Sequence, residues 1–273
     1  MIFSFKKAIL PVDFDWKFYL SKYEDLRLAG LSTERDAINH YRKYGHKESR
    51  DYKFSKPVQK NEIYSGASIL ICGTSKEIEI LKDLDLVKRI EDKFFVFCIN
   101  TSYSYFNKIS CLFLNGRFTH LTDESFVGKE VDQIFINSRY HNFSSIKTNV
   151  YDIKFIQGKY QSEIDININN ILPHGPTTLL DIVFPFCCFN NVKNIFILGA
   201  EYPKDEIKYE RHADDKKIID RIGGILDRHT EMEMAHKKLN LWNEYFKNNK
   251  INCYALSENS ETPFQKTTLS NIL

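Results

Sequence analysis

Residues 191–212 read NVKNIFILGAEYPKDEIKYERH, and the run Ile195 to Leu198 inside this stretch decides the fold. An unbroken apolar run between turn-forming neighbours describes a strand buried on both faces, the habit of parallel sheets covered by helices. The run stops at Gly199 and delivers Glu201, Tyr202 and Tyr209 into a polar, irregular segment. A core strand that presents a carboxylate and two phenols to solvent is expected at the ligand edge of such a sheet.

The same texture recurs along the chain in SILIC (68–72), FFVFCI (94–99), SCLFL (110–114), QIFI (133–136), NIFIL (194–198) and NCYAL (252–256). Helical patterns separate these runs. Residues 76–92 carry Ile78, Leu81, Leu84 and Leu86, and residues 177–189 are apolar almost all round, which predicts a buried helix. Alternating strands and helices give an α/β fold with a Rossmann-like, doubly wound, mostly parallel sheet. Each strand run is followed by small hydrogen-bonding residues: Gly73-Thr74-Ser75, Asn100-Thr101-Ser102, Asn115-Gly116, Asn137-Ser138, Gly199-Ala200-Glu201-Tyr202 and Ser257-Glu258-Asn259-Ser260. In doubly wound sheets the carboxyl ends of the strands line the ligand crevice. Asn, Ser and Gly are also the ordinary material of turns, so it is the repetition that points to a site.

The total of 273 residues with 42% hydrophobic content suffices for one catalytic-sized core plus a small appendage. Residues 14–54 differ from the rest, with aromatics at helical spacing (Trp16, Tyr19, Tyr23, then His40, Tyr41, Tyr44) and a polar linker after them. We therefore divide the chain into a small helical module with its linker, residues 1–60, and a Rossmann-like domain, residues 61–273. Lys and Arg number 38 against 36 Asp and Glu, so no general basic field argues for nucleic acid. None of the six cysteines forms a CxxC pair and nearly all lie in apolar runs, as small buried residues do in a reducing compartment. No segment approaches ~18 consecutive apolar residues. The expectation is a cytoplasmic protein, at most peripheral to the inner membrane, for which a homo-oligomer is an open alternative.

Chemistry concentrates in HTEMEMAHKKLNLWNEYFKNN, residues 229–249. Thr230 with Glu233 forms a T-x-x-E capping box, followed by Met232, Ala235, Leu239, Trp242 and Phe246 on one face. This puts His229 just outside a helix N-terminus, where the helix dipole disfavours imidazolium and leaves a neutral general base. A surface His packed as an N-terminal staple fits the same spacing. Asp83-Leu84-Asp85 is a D-x-D pattern inside a helix, not at a strand end, so no metal requirement is expected. Phosphate would then fall to backbone N–H groups at Gly73-Thr74-Ser75 and Pro176-Thr177-Thr178, although neither is a P-loop nor a G-x-G-x-x-G fingerprint.

From residue 68 to about 264 the chain resembles the bacterial CMP-sialic-acid-dependent sialyltransferases that decorate lipooligosaccharide, a metal-independent, inverting group with one Rossmann-like nucleotide domain. The family's G-P-S-L turn is matched by Gly73-Thr74-Ser75-Lys76 without the Pro, and its two strand-end Asn residues by Asn100 and Asn115. Its T-S-G helix start is matched by Thr177-Thr178. Its S-G-I-D-F-Y turn is matched around Gly199, with Glu201 at the Asp and Tyr209 at the spacing of the second Tyr; the first Tyr falls on Pro203, beside Tyr202. The family's His before the last helix falls on His229, and its N-S pair on Asn259-Ser260.

The resemblance implies a donor site of Gly73, Thr74, Ser75, Asn100, Asn115, Thr177, Thr178, Gly199, Glu201, Asn259 and Ser260. It implies His229 as base and Tyr209, with Tyr202, on the leaving phosphate. It further implies a CMP-sugar donor, an oligosaccharide or polysaccharide acceptor of the lipooligosaccharide or capsule type, and no cofactor. Residues 14–50 resemble, separately, short modules that accompany bacterial polysaccharide glycosyltransferases, through Phe14-Asp15, Tyr19-Leu20, Asp25-Leu26, Ala37, His40-Tyr41, Gly45, Glu48 and Arg50. Two alternatives stay open: a motility-associated-factor or pterin-pyrophosphokinase-like nucleotide enzyme, and a non-catalytic glycan-binding protein.

Overall fold

The structure, a computed structural model, describes residues 10–11, 14–48, 50–52, 57–114, 123–136, 148–152, 155–156, 164, 166, 168, 172–173, 178–202 and 228–273; residues 123, 152, 155–156, 172–173 and 228–231 are described in backbone alone. Among the described residues the strands are β1 (Ser68–Cys72), β2 (Phe95–Ile99), β3 (Lys108–Leu114), β4 (Glu130–Ile136), β5 (Asn149–Asp152), β6 (Phe155–Ile156), β7 (Leu172–Pro173), β8 (Asn194–Leu198), β9 (Asn252–Ala255) and β10 (Gln265–Lys266). Eight of them form one sheet in the order β10-β9-β8-β1-β2-β3-β4-β5, with every neighbouring pair parallel. The chain winds outward from β1 to β5, then returns to β8 on the other side of β1 and winds outward again. The six predicted apolar runs are all strands of this sheet, which is the expected doubly wound α/β architecture.

Each strand alternates its side chains between two cores, as a pleat of period two requires. Ile69, Ile71, Phe97, Phe113, Phe135, Ile195 and Ile197 point into one core. Leu70, Cys72, Val96, Cys98, Leu112, Ile134 and Leu198 point into the other. The first core is closed by α5 (Phe184–Phe189) and α6 (Arg228–Asn248), where Phe186 stands 4.8 Å from Phe135 and 5.6 Å from Phe97, ring centre to ring centre. The second is closed by α4 (Leu84–Lys93) through Val87 and Ile90, and by α7 (Leu269–Ile272) through Leu269.

Three helical expectations need correction. The pattern at 76–92 is two elements, a 3-10 segment Lys76–Lys82 and then α4. Asp83 between them is extended, with ψ 106°, and its carboxylate accepts the N–H groups of Asp85 and Leu86. Asp83-Leu84-Asp85 is therefore a helix cap and not the interior of a helix. The buried segment at 177–189 winds as a π-helix over Leu179–Val183 before α5. Pro185 supplies the reason, since it has no N–H for the carbonyl of Asp181 and its ring crowds that carbonyl, so the turn widens. Finally, α6 starts at Arg228, which puts the backbone of His229 inside the first helical turn and not in front of it.

The N-terminal segment holds α1 (Trp16–Lys22), α2 (Glu24–Leu28), α3 (Glu34–His40) and a π-turn Tyr41–Gly45 around its own cluster of Tyr19, Leu20, Leu26, Ala37, Tyr41 and Tyr52. The residues behind its resemblance to the polysaccharide modules build this cluster. Asp15 caps α1 by accepting the Phe18 N–H at 2.9 Å, and the Tyr19 hydroxyl meets His40 Nδ1 at 2.8 Å. Arg50 forks onto Asp25 at 2.9 and 2.7 Å, reaches Glu48 at 2.5 Å, and lies over the Tyr23 ring. Burial and the nearby Arg50 charge hold His40 below its ordinary pKa.

Candidate functional site

The sheet reverses its winding between β1 and β8, and in open α/β sheets the crevice at such a point, outside the carboxyl ends, is where ligands bind. The ends of the two strands are pressed together there. The Gly73 N–H donates to the Leu198 carbonyl at 2.8 Å and the Ser75 N–H to the Gly199 carbonyl at 3.0 Å, so pairing continues past both strands. A Cβ on Gly73 would lie 2.1 Å from the Gly199 carbonyl oxygen, and Gly199 has φ +76° with Ile78 2.2 Å from where its own Cβ would be. Only glycine fits at either position.

From this junction β8 runs into Glu201 and Tyr202. Both are buried, which corrects the expectation that they meet solvent. Tyr202 takes φ 50°, a left-handed turn that folds its ring into the core under α5 and α6. The Glu201 carbonyl accepts the Glu261 N–H at 2.8 Å, tying the segment after β9 to the end of β8. Glu201 has its carboxyl pushed up to about 7, first by burial, then by the adjacent Glu77 carboxylate, against the Ser75 hydroxyl, which favours the charged form. Ser75 Oγ and Glu201 Oε1 nevertheless lie outside hydrogen-bond geometry with any described residue.

Other predicted residues arrive at the same edge. Asn100 follows β2 with φ 51°, a second left-handed residue at a strand end, where Asn is tolerated. Ser102 beyond it accepts the Ile99 N–H at 3.0 Å and donates to the Cys72 carbonyl at 2.8 Å, joining the ends of β2 and β1. Asn259 donates from Nδ2 to Glu77 Oε1 at 3.1 Å, while Ser260 Oγ pairs with Thr262 Oγ1 at 2.8 Å. The structure thus brings together Gly73, Thr74, Ser75, Gly199, Glu201 and Asn259, with Asn100 and Ser260 on flanking turns. Thr178 is buried at the start of the π-helix. Asn115, Thr177, Tyr209 and the His229 side chain lie outside the described residues.

Sequence reading missed Glu77. Its position in an ordinary i, i+1 polar run gave no signal, and only the packing of the 3-10 segment against Glu201 makes it part of the site. Of the other histidines, His212 is outside the described residues and His236 is partly buried on α6. All six cysteines are free and buried, and burial pushes the Cys98 and Cys188 thiols up to about 12. Among the described residues no three His, Cys, Asp or Glu side chains gather in a way that could hold a metal ion, and no helix is long and apolar enough to cross a membrane.

No protein-family model matches the chain, and no curated protein matches it in sequence. Among solved structures it is similar to an alpha-2,3-sialyltransferase from Campylobacter jejuni in apo form, at 14% identity and TM-score 0.38, covering 78% of this chain and 84% of that one. The monofunctional alpha-2,3-sialyltransferase Cst-I from Campylobacter jejuni is similar over the same shares at 14% identity and TM-score 0.35. Likeness this distant carries no argument about activity, and the fold class stands on the parallel sheet itself.

Proposed function

We propose that the chain is a metal-independent, inverting glycosyltransferase that moves a sialic acid, Kdo or related nonulosonic acid from a CMP donor to a glycan acceptor. The observation that carries the reading is the β1/β8 switch point, where Gly73 to Ser75, Gly199 to Glu201 and Asn259 meet beside Asn100. Such an edge suits a nucleotide, because backbone N–H groups and short polar side chains can approach its ribose and phosphate closely. The choice of CMP rests on the motif order along residues 68–264.

In this reading His229 removes the acceptor hydroxyl proton as the sugar leaves its phosphate. Tyr209 donates a hydrogen bond to the departing CMP and supplies the charge stabilisation that a metal ion supplies in other glycosyltransferases. Residues 1–60 form a separate module that is held together by its own aromatic cluster. The free, buried thiols suit a reducing cytoplasm.

Calorimetry with CMP in the absence of divalent metal tests the reading, with UMP, ADP and ATP as comparisons. Binding of CMP in preference to the others is the expected outcome, and preference for a purine nucleotide overturns it. With a CMP-linked sugar that turns over, His229→Ala is expected to lower kcat by about 10²–10⁴-fold; near-normal turnover removes His229 as the base.

A further inference from the structure

Glu201 follows β8 at the switch point, 8% exposed, with its Oε1 buried and outside hydrogen-bond geometry with any described residue. Ser75, 2% exposed, stands beside it with an unpartnered Oγ, and Thr101, 8% exposed, carries a third unpartnered hydroxyl on the turn after β2. A buried polar atom without a partner costs free energy, so three at one sheet edge suit a ligand that brings hydrogen-bonding groups of its own. The element that faces Glu201 from the β1 side brings another carboxylate, Glu77, which Asn259 holds in place through its Nδ2 at 3.1 Å. The same segment after β9 that carries Asn259 also brings the Glu261 N–H, spent on the Glu201 carbonyl. The charged neighbour that acts on Glu201 is Glu77, while the Ser75 hydroxyl favours the ionised form.

We propose that Glu201 works as a carboxylic acid, kept protonated by Glu77 beside it, and donates its proton in a hydrogen bond to an acceptor oxygen of the bound nucleotide. The proposal rests on the nucleotide reading of this edge and adds what Glu201 does there. A carboxylate at this place would repel a phosphate and leave a nucleotide oxygen unpaired; a carboxylic acid satisfies it. Binding above the titration point of the free site therefore takes up one proton from solvent, and no bond other than the hydrogen bond is made or broken. Burial and Glu77 both act in the required direction, and the carboxyl titrates at about 7, within reach of that exchange.

Difference infrared spectroscopy of the intact protein reads the protonated carboxyl directly, without any ligand. The expected result is a buried carboxylic-acid band that fades as pH rises through about 7, is missing in Glu201→Gln, fades at lower pH in Glu77→Gln, and persists to higher pH in Ser75→Ala. Calorimetry with CMP at pH 8, in buffers of different ionisation enthalpy, should then show uptake of about one proton per CMP bound, lost in Glu201→Gln. Absence of the band across the whole pH range overturns the proposal, and so does a band that magnesium or manganese ions abolish, since the carboxyls would then be a cation site. A normal band with no CMP binding supports the carboxylic acid and defeats the nucleotide reading. CMP binding without proton uptake does the reverse.

Discussion

Glu201 also makes stability depend on pH, with a sign that its surroundings decide. Its carboxyl sits at about 7 in the folded chain against an ordinary 4.5, so between those values the folded state holds a proton that the unfolded state has released. Stability from this group is complete below about pH 4.5, falls as pH rises through 7, and is level above that. Glu201→Gln removes the dependence, so the variant is expected to gain about 3 kcal/mol on the wild type between pH 4 and pH 8. Denaturant unfolding at several pH values checks this, and parallel curves for the two proteins would contradict it. Gly73 is the other residue with a sharp consequence: an added Cβ would lie 2.1 Å from the Gly199 backbone oxygen just past β8, which cannot move without parting the two strand ends. Gly73→Ala is expected to cost upwards of about 3 kcal/mol and to weaken nucleotide binding with it. Neither residue is unusual by type. That Gly73 and Glu201 follow strand ends was legible, but the neighbours that make Gly73 irreplaceable and keep Glu201 protonated were not, because they lie more than a hundred positions away or on a turn with no motif.

At the scale of elements, the join between the buried π-helical segment and α6 carries an ion pair in an otherwise apolar layer. Lys238 of α6 meets Asp181 in the turn before α5, both buried, and Trp242 donates from Nε1 to the Leu180 carbonyl at 2.9 Å one turn further along. Removing one partner leaves a charge stranded in the core, so Lys238→Ala is expected to cost about 3–5 kcal/mol. Replacing both with apolar residues of similar volume should recover most of that loss, and a double-mutant cycle from unfolding curves measures it. The apolar stripe of α6 was visible from Met232 to Phe246. Lys238 was not, because a Lys between two stripe positions reads as a solvated residue until a facing carboxylate is known. The split of the 76–92 helix at Asp83 was hidden in a similar way, since Asp is as frequent on a solvated helix surface as at an N-cap.

At the scale of the molecule, the N-terminal cluster is built from residues of the first 52 positions, with Gly45 set against Tyr19 and Tyr41. A Cβ there would lie 2.0 Å from the Tyr19 hydroxyl oxygen. Gly45→Val is expected to destabilise this cluster by about 1–3 kcal/mol while leaving CMP affinity unchanged, because the proposed site draws on residues 73–260. Thermal unfolding beside calorimetry tests it, and a parallel loss of CMP binding would tie the module to the site. The motif of this module was legible as a pattern, and its residues turn out to be the cluster's own caps, packing aromatics and ion pairs. The sequence alone determined the α/β class, the six principal strands, the buried helix and the polar character of the strand ends, because burial on both faces and helical periodicity are written locally in each run. Only the tertiary structure decided that β8 lies against β1, that Gly73 and Gly199 touch, and that Glu77 faces Glu201. Strand order follows from how distant segments pack across one sheet and its two cores, and no local pattern records that choice.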